Sequence, residues 1–224
     1  MTEYEREFEA ISREMGTCVI VLDRDGRVLY LNAETLRLCI NEPAEPSDFI
    51  GKNIADLGYP DEWVAERLGL VARVIDSGEE CILRSIWNGY QQFSWMSSLE
   101  CEEGEVGHVL FVTRRIDAGD EAERLLRSEE RPLVQSEFVG LGELSVLSKR
   151  ELEVLALIGQ GLMAREIAVL LHRSVKTIEN HRVSIGLKLQ KSNKVELALI
   201  ARAAGLVVDD AFRIRVSKGL PVST

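Results

Sequence analysis

Residues 147–205 read LSKRELEVLALIGQGLMAREIAVLLHRSVKTIENHRVSIGLKLQKSNKVELALIARAAG and decide the fold of the C-terminal part of the chain. Ser148 is followed three residues later by Glu151, which is the spacing of a capping box at a helix N-terminus. Apolar residues then recur at helical spacing until Gly159-Gln160-Gly161 interrupts the pattern. The stretch therefore predicts a first helix that begins after Ser148 and ends near Gly159.

Three more helices are predicted after short connections. Residues 164–171 carry the apolar face of a second helix, and His172-Arg173 make the turn that follows it. Ser174 is well placed to cap a third helix over residues 175–190, and residues 194–204 form a fourth amphipathic segment. The predicted fold class of this part is an all-α, four-helix domain.

The third helix has an apolar side and a mainly polar side. Its apolar side is lined by Ile178, Ile185 and Leu189. At 100° per residue, the opposite side carries Lys176, Asn180, Val183 and Leu187, with Glu179 and Ser184 on the flanks. Lysine neutralises phosphate, and asparagine pairs bidentately with adenine edges. This side of the helix has the chemistry of a major-groove reader.

The whole tract resembles the helix-turn-helix of LuxR/FixJ-type bacterial transcription regulators. The matching residues are Leu147, Ser148, Arg150, Glu151, Glu153, Val154, Leu155, Leu157, Ile158, Gly161, Glu166, Ile167, Ala168, Leu171, Ser174, Thr177, Ile178, His181, Ile185, Lys188 and Leu189. The resemblance implies that residues 175–190 enter the major groove of double-stranded DNA. It also implies that residues 194–204 form a dimerisation surface, and hence a homodimer.

Candidate DNA-binding residues follow from this resemblance and from the helix geometry. Lys176, Asn180 and Val183 are expected to face base edges, and Glu179 to accept hydrogen bonds from cytosine amino groups. Phosphate contact or helix positioning is expected for Ser174, Thr177, Arg182, Lys188, Asn193 and Lys194. Two features depart from the family pattern. Residues 192–194 stand where many relatives carry a glycine, and Gly186 within the helix costs about 1 kcal/mol of helix propensity.

Charge is divided unevenly along the chain. The formal net charge is −10, which by itself disfavours nucleic-acid binding. Residues 148–205, however, hold ten Lys or Arg against five Asp or Glu, or +5, while residues 1–147 hold 14 against 30, or −16. A basic module joined to an acidic one is typical of a DNA-binding domain attached to a domain that stays off the duplex.

The acidic part resembles a PAS domain, an α+β fold with an antiparallel sheet and flanking helices. Residues 21–32, VLDRDGRVLYLN, are similar to the family's strand-turn-strand pattern, with a hairpin turn at residues 23–26. Gly51-Lys52 with Asp56-Leu57, and residues 109–117, match its later motifs. Two strands, then helices including residues 62–77, then three antiparallel strands are expected in chain order.

The predicted organisation has four parts. Residues 1–116 form the PAS-like sensor or dimerisation domain, residues 117–140 a helical linker, and residues 141–206 the helix-turn-helix domain. The role of the tail, residues 207–224, cannot be read from the sequence. No apolar run approaches the roughly 20 residues that span a bilayer, so a cytoplasmic location without membrane contact is expected.

Two alternatives for the N-terminal domain stay open at the level of sequence. One is a degenerate receiver, because Asp56-Leu57-Gly58-Tyr59-Pro60 imitates its phosphoacceptor motif, although no lysine occurs between Lys52 and Lys149 to contact a phosphoryl group. The other is a PAS domain that binds only a partner protein and no small molecule. The operator, the sign of regulation and the signal are not readable.

No cofactor is identified, and neither a metal site nor an enzymatic constellation is expected. The four cysteines are widely spaced, with no CxxC pair. His108, the domain's one histidine, is interpreted as an edge-strand surface residue rather than a haem ligand. The three tryptophans are interpreted as core residues in preference to cavity residues: Trp63, Trp87 and Trp95.

Overall fold

One β-sheet organises the N-terminal part of the chain. A computed structural model describes residues 3–40, 44–100, 106–119, 127, 130–191 and 193–216. The strands are β1 (Thr17–Asp23), β2 (Val28–Leu31), β3 (Cys81–Trp87), β4 (Tyr90–Glu100), β5 (Val106–Arg115), β6 (Leu133–Val139) and β7 (Ile214–Arg215). Their order across the sheet is β2-β1-β5-β4-β3-β6-β7.

The first five strands form the PAS-like core. Every neighbouring pair among them is antiparallel, and their chain order is two strands, then helices, then three strands. The predicted α+β PAS-like fold is therefore confirmed. The receiver alternative is wrong, because a receiver alternates helices with parallel strands, whereas these strands are joined as hairpins or antiparallel neighbours.

Hydrogen bonds from the backbone to one side chain fix the turn between β1 and β2. The Asp23 carboxylate accepts hydrogen bonds from the backbone N–H groups of Asp25 and Arg27, at 3.0 and 2.7 Å. Gly26 has φ +86°, and a Cβ there would lie 2.6 Å from the Leu68 side chain. Glycine at this position therefore serves both the left-handed backbone and the close approach of the Leu68 side chain.

Helices flank the sheet. They are α1 (Glu3–Glu14), α2 (Ala33–Thr35), which continues as a π-helical turn (Leu36–Ile40), and α3 (Asp61–Ser77), which covers one face. Val71 and Val74 of α3 are completely buried and join a core with Cys81, Met96 and Val109 from the strands. The predicted helix over residues 62–77 is confirmed, and this layer encloses the interior of the domain.

Two predictions about connecting segments need correction. The predicted helical linker is wrong in its second half, because residues Leu133–Val139 form β6, which pairs parallel with β3. Most of its first half, residues 120–126 and 128–129, lies outside the described residues. The tail, whose role was unreadable, forms a 3-10 helix (Val208–Phe212) and β7, which pairs parallel with β6. Both segments extend the sheet at its β3 edge.

The C-terminal helices agree with their predicted bounds to within two residues. They are α4 (Lys149–Gly159), α5 (Ala164–Leu170), α6 (Val175–Leu189) and α7 (Lys194–Ala204). The predicted capping box is present, since the side chains of Ser148 and Glu151 each bind the other's backbone N–H. Within the described ranges, no helix has the length and apolar character to cross a bilayer.

The helical domain packs on the face of the sheet opposite α3. Side chains alternate along a strand, so β3 directs Leu83 toward α3 and Arg84 and Ile86 toward the helical domain. Ile86 joins the core of the helical domain with Leu152 and Leu155. The sheet is thus the middle layer of the molecule.

Candidate nucleic-acid interface and internal cavity

Helix α6 is anchored on one side and exposed on the other. Ile178 and Ile185 are buried in the core of the helical domain, with 1% and 0% of their surface exposed. The exposed residues of the opposite side are Lys176, Asn180, Val183 and Leu187. The structure therefore groups the three predicted base-reading residues on one solvent-facing surface, together with Leu187, which the helix period also placed there and which is 76% exposed.

Ser174 and Thr177 shape the N-terminus of α6. The Ser174 hydroxyl accepts a hydrogen bond from the Thr177 N–H at 3.0 Å and shares another with the Thr177 hydroxyl at 2.8 Å. This is the N-cap that the sequence predicts, and it sets where the helix begins. Ser174 remains exposed at this end, where helix N–H groups favour an anion.

Glu179 and Arg182 form an ion pair along α6. The Arg182 guanidinium lies 2.7 Å from a Glu179 carboxylate oxygen, and both side chains are about two-fifths exposed. An exposed pair at this spacing is weak, about 0.3–0.5 kcal/mol. The ion pair therefore constrains the two side chains only weakly, and both remain accessible from solvent.

Lys188 is tied to the first helix of the domain. Its ammonium nitrogen lies 2.6 Å from the Glu151 carboxylate, which also accepts from the Ser184 hydroxyl and the Ser148 N–H, each at 2.7 Å. Burial raises the pKa of the Glu151 carboxyl, but the hydrogen bonds from Lys188, Ser148 and Ser184 outweigh it and lower the pKa to about 2. Lys188 thus positions α6 against α4.

Asn193 and Lys194 lie where α7 begins. The Asn193 side chain accepts from the Glu196 N–H at 2.8 Å and caps the helix, and Lys194 is exposed. Between α6 and α7 runs an open groove lined by Arg182, Val183, Gly186, Leu187, Gln190, Lys191, Asn193 and Leu197. Sequence reasoning did not assign Lys191, nor the exposed Arg173, because both fall outside the helix periodicity; only the count of basic residues included them.

The PAS-like domain contains a cavity of about 150 Å³ between the sheet and α3. Aromatic side chains form one wall: the Tyr59 and Trp63 rings stack at 4.2 Å, and Trp87 lies 5.9 Å from Trp63. The interpretation of Trp63 and Trp87 as plain core is therefore wrong. Trp95 does not line this cavity and packs against Phe93, Ile82 and Ile116.

Polar groups also line the cavity. The Ser94 and Thr113 hydroxyls share a hydrogen bond of 2.8 Å, and Gln92 lies on the same strand as Ser94. Arg67 also lines the cavity, lies over the Trp63 ring at 4.7 Å and pairs with Glu66. Burial lowers the pKa of the Arg67 guanidinium, although the attraction of Glu66 opposes this shift.

His108 lies elsewhere in the PAS-like domain. It is on β5 between β1 and β4, opposite Asp23 and Leu99, so it is not on an edge strand as expected. It is also not among the residues that line the cavity. In the part of the chain that the structure describes, no three metal-ligating side chains are grouped.

Comparison with known proteins places the helical domain in a family. Residues 145–201 match the family model described as bacterial regulatory proteins, luxR family. The oxygen regulatory protein NreC of Staphylococcus carnosus is 52% identical over 52 residues, which are 23% of this chain and 24% of NreC. The chain thus spans about a quarter of the length of the curated relatives it matches. Its C-terminal part is a luxR-family helix-turn-helix domain.

A solved structure resembles the chain over most of its length. The complex of Vibrio cholerae VqmA with ligand and DNA has a TM-score of 0.53 and 18% sequence identity, covering 92% of this chain and 91% of that one. At this identity the likeness concerns the fold alone. The arrangement of a PAS-like domain followed by a luxR-family helix-turn-helix is therefore a fold shared with that protein.

Proposed function

We propose that this chain is a sequence-specific DNA-binding transcription regulator whose PAS-like domain receives a signal that controls the helix-turn-helix. The observation that carries the proposal is the exposed face of α6, where Lys176, Asn180 and Val183 lie together on a luxR-family domain. A cation and an amide on an exposed helix face are the groups that read a major groove. The protein would meet its DNA in the cytoplasm, as a regulator rather than an enzyme.

The contacts of each residue refine its proposed role. Lys176, Asn180 and Val183 would contact base edges. Glu179 would accept from a cytosine amino group while still paired with Arg182, since the pair is accessible. Ser174, Thr177, Arg182, Lys188, Asn193 and Lys194 would contact phosphates or position the helices, and Lys188 and Asn193 already do the latter.

The proposed signal is a small molecule held in the cavity of the PAS-like domain. VqmA, which shares the fold, was solved with a ligand and DNA, and we propose the same two classes of partner for this chain. A largely apolar cavity with a few polar groups is typical of a small-molecule site. This favours a chemical signal over the alternative of a domain that binds only a partner protein.

We also propose a homodimer that uses the first turns of α7. Val195 and Leu199, four residues apart, are 67% and 60% exposed there, whereas Ala201 and Ala204 further along are buried. Two apolar side chains at this spacing form one stripe on a helix. Sedimentation of the full chain should show a dimer that Leu199→Glu dissociates, whereas Leu170→Glu, at an exposed apolar position on α5, leaves it intact. Equal effects of both variants would contradict the interface.

Selection from a random duplex library with the full chain tests DNA binding directly. We expect one enriched sequence, bound at least 10³-fold more tightly than random DNA. Lys176→Ala should weaken binding to the enriched sequence, whereas Lys52→Ala, at an exposed lysine of the PAS-like domain, should leave it unchanged. No enrichment, or equal losses in both variants, would contradict the proposed function.

A further inference from the structure

The size of the cavity limits what it can hold. Its volume is about 150 Å³. An engineered cavity of roughly that volume in another protein accommodates benzene. A ligand here would therefore be a single ring with few substituents, and a fused multi-ring cofactor exceeds the space available.

The aromatic wall favours a flat ligand. Tyr59 and Trp63 are stacked with an interplanar angle of 23°, and Trp87 is tilted against both at 5.7 and 5.9 Å. Aromatic faces attract other rings through offset stacking and edge contacts. A planar ring in the cavity gains these contacts along its faces and edges.

The side-chain amide nitrogen of Gln92 is buried and lacks a hydrogen-bond acceptor among the described residues. Its side chain is 5% exposed and lines the cavity, and among the described residues no atom accepts a hydrogen bond from its Nε2. The neighbouring Ser94 and Thr113 hydroxyls form a hydrogen bond with each other, and neither accepts a hydrogen bond from Gln92 Nε2. Buried polar groups are almost always paired, so an unpaired donor that lines a cavity points to an acceptor brought by a ligand.

The charges around the cavity favour an uncharged ligand. Arg67 is the one cation among the lining residues, and its charge is neutralised by Glu66. Glu66 is itself fixed to β6, because it accepts from the Ser136 hydroxyl at 2.8 Å and from the Glu137 N–H at 2.6 Å. An anion would have to displace this carboxylate, and no Asp or Glu among the lining residues would pair with a cation.

We infer that the cavity takes an uncharged, planar, single-ring molecule with a hydrogen-bond acceptor, and that Gln92 selects it by donating from Nε2 to that acceptor. This inference rests on the proposed function only in treating the cavity as the signal site.

Acetophenone and ethylbenzene test the inference as a pair, because they share the phenyl ring and a two-carbon substituent and differ in the carbonyl oxygen. Calorimetric titration of the full chain should give a dissociation constant for acetophenone about tenfold lower than for ethylbenzene. Benzoate should not bind. The inference is overturned if ethylbenzene binds as tightly as acetophenone, if neither binds, or if benzoate binds best.

Variants assign the preference to Gln92. Gln92→Leu should bind both compounds equally, because the donor is gone and the apolar volume remains, while Gln160→Leu at an exposed site keeps the tenfold preference. Near-ultraviolet circular dichroism checks that each variant is folded, and the wild-type comparison decides the ligand class whether or not Gln92→Leu folds. A preference that survives in folded Gln92→Leu would overturn the role of Gln92.

A separate assay distinguishes the failure of the inference from that of the proposed function. The affinity of the full chain for its selected DNA is measured with and without saturating acetophenone. Tighter binding of acetophenone with unchanged DNA affinity would support the ligand class and contradict signal control by such ligands. A change in DNA affinity that ethylbenzene produces equally would contradict the ligand class and leave signal control standing.

Discussion

At the scale of single residues, the candidate interface divides into side chains that are already engaged and side chains that face solvent. Lys188 and Asn193 hold helices in place, while Lys176 and Asn180 point away from the protein. Loss of an engaged residue should therefore change stability, and loss of a solvent-facing one should change DNA recognition alone.

Asn180→Ala should relax specificity without unfolding the domain. An amide that pairs with one base contributes about 1–3 kcal/mol of discrimination at that position, and the exposed side chain stabilises little in the free protein. Fluorescence anisotropy with the selected duplex and with single-base variants measures this. Equal weakening on selected and random DNA would refute the base-reading role.

Glu151→Gln should lower stability in a pH-dependent way. The pKa of Glu151 is about 2 in the folded protein, below its ordinary value of 4.5, so its ionised form stabilises the fold above pH 4.5. This contribution, on the order of 2–3 kcal/mol, is lost as the pH falls from 4.5 toward 2. In urea unfolding, the wild type should exceed Glu151→Gln at pH 7 and approach it near pH 2.

The exposed Glu79 provides the control for this titration. Glu79→Gln should leave the unfolding free energy at pH 7 nearly unchanged, because an exposed carboxylate contributes little. A gap between wild type and Glu151→Gln that is the same at pH 7 and pH 2 would contradict the assigned ionic role.

At the scale of elements, the turn between α6 and α7 explains why glycine, which has a low helix propensity, occurs inside α6. Gly186 lies inside α6, and its carbonyl accepts from the Lys191 N–H at 2.8 Å. A Cβ on Gly186 would lie 2.7 Å from the Lys191 carbonyl oxygen. The chain can therefore fold back closely onto α6 only because this position lacks a side chain.

Two glycine-to-alanine variants should act in opposite directions. Gly69→Ala in α3, where a Cβ meets nothing within 4 Å, should raise the unfolding free energy by about 0.5–1 kcal/mol. Gly186→Ala should lower it by about 1–3 kcal/mol, because backbone must move. Thermal unfolding of both variants measures this, and a stabilised Gly186→Ala would show that the close approach is not required.

At the scale of the whole molecule, one buried arginine joins the two domains. The Arg84 guanidinium donates to the Asp210 carboxylate at 3.0 and 3.1 Å and to the Gly205 carbonyl at 2.6 Å. Both side chains are almost entirely buried, and Gln91 packs against Gly205 beside them. Leu83 and Ser85, the neighbours of Arg84 on β3, line the cavity. One strand therefore contacts both the cavity and the helical domain.

Arg84→Leu should destabilise the docked arrangement. Asp210 keeps the Arg213 guanidinium at 3.2 Å and the Val207 N–H at 2.8 Å, so its charge is not left unpaired, and the loss should be about 1.5–3 kcal/mol, the contribution of hydrogen bonds to a charged group. Arg24→Leu, which breaks the exposed pair with Asp76, should cost less than about 1 kcal/mol. Urea unfolding compares the two losses, and small-angle scattering should show a larger radius of gyration for Arg84→Leu alone. Similar losses would contradict the role of Arg84 in docking.

The parts of the protein that sequence determines are those set by local interactions. Ser148 and Ser174 cap helices through residues three positions away, and the period of the apolar residues decides which face of α6 is buried. The turn at Asp23 likewise closes within four residues. The bounds of the four C-terminal helices, the first five strands and the exposed face of α6 were predictable because each depends on neighbours in the chain.

The tertiary structure alone decided the features that depend on distant residues. Arg84 and Asp210 are 126 positions apart, and β6 and the tail join the sheet by parallel pairing that no local pattern specifies. Trp63 and Trp87 line a cavity because helix and sheet leave a gap between them. Capping and periodicity act over one helical turn, whereas packing and burial depend on which segments meet after the chain has folded.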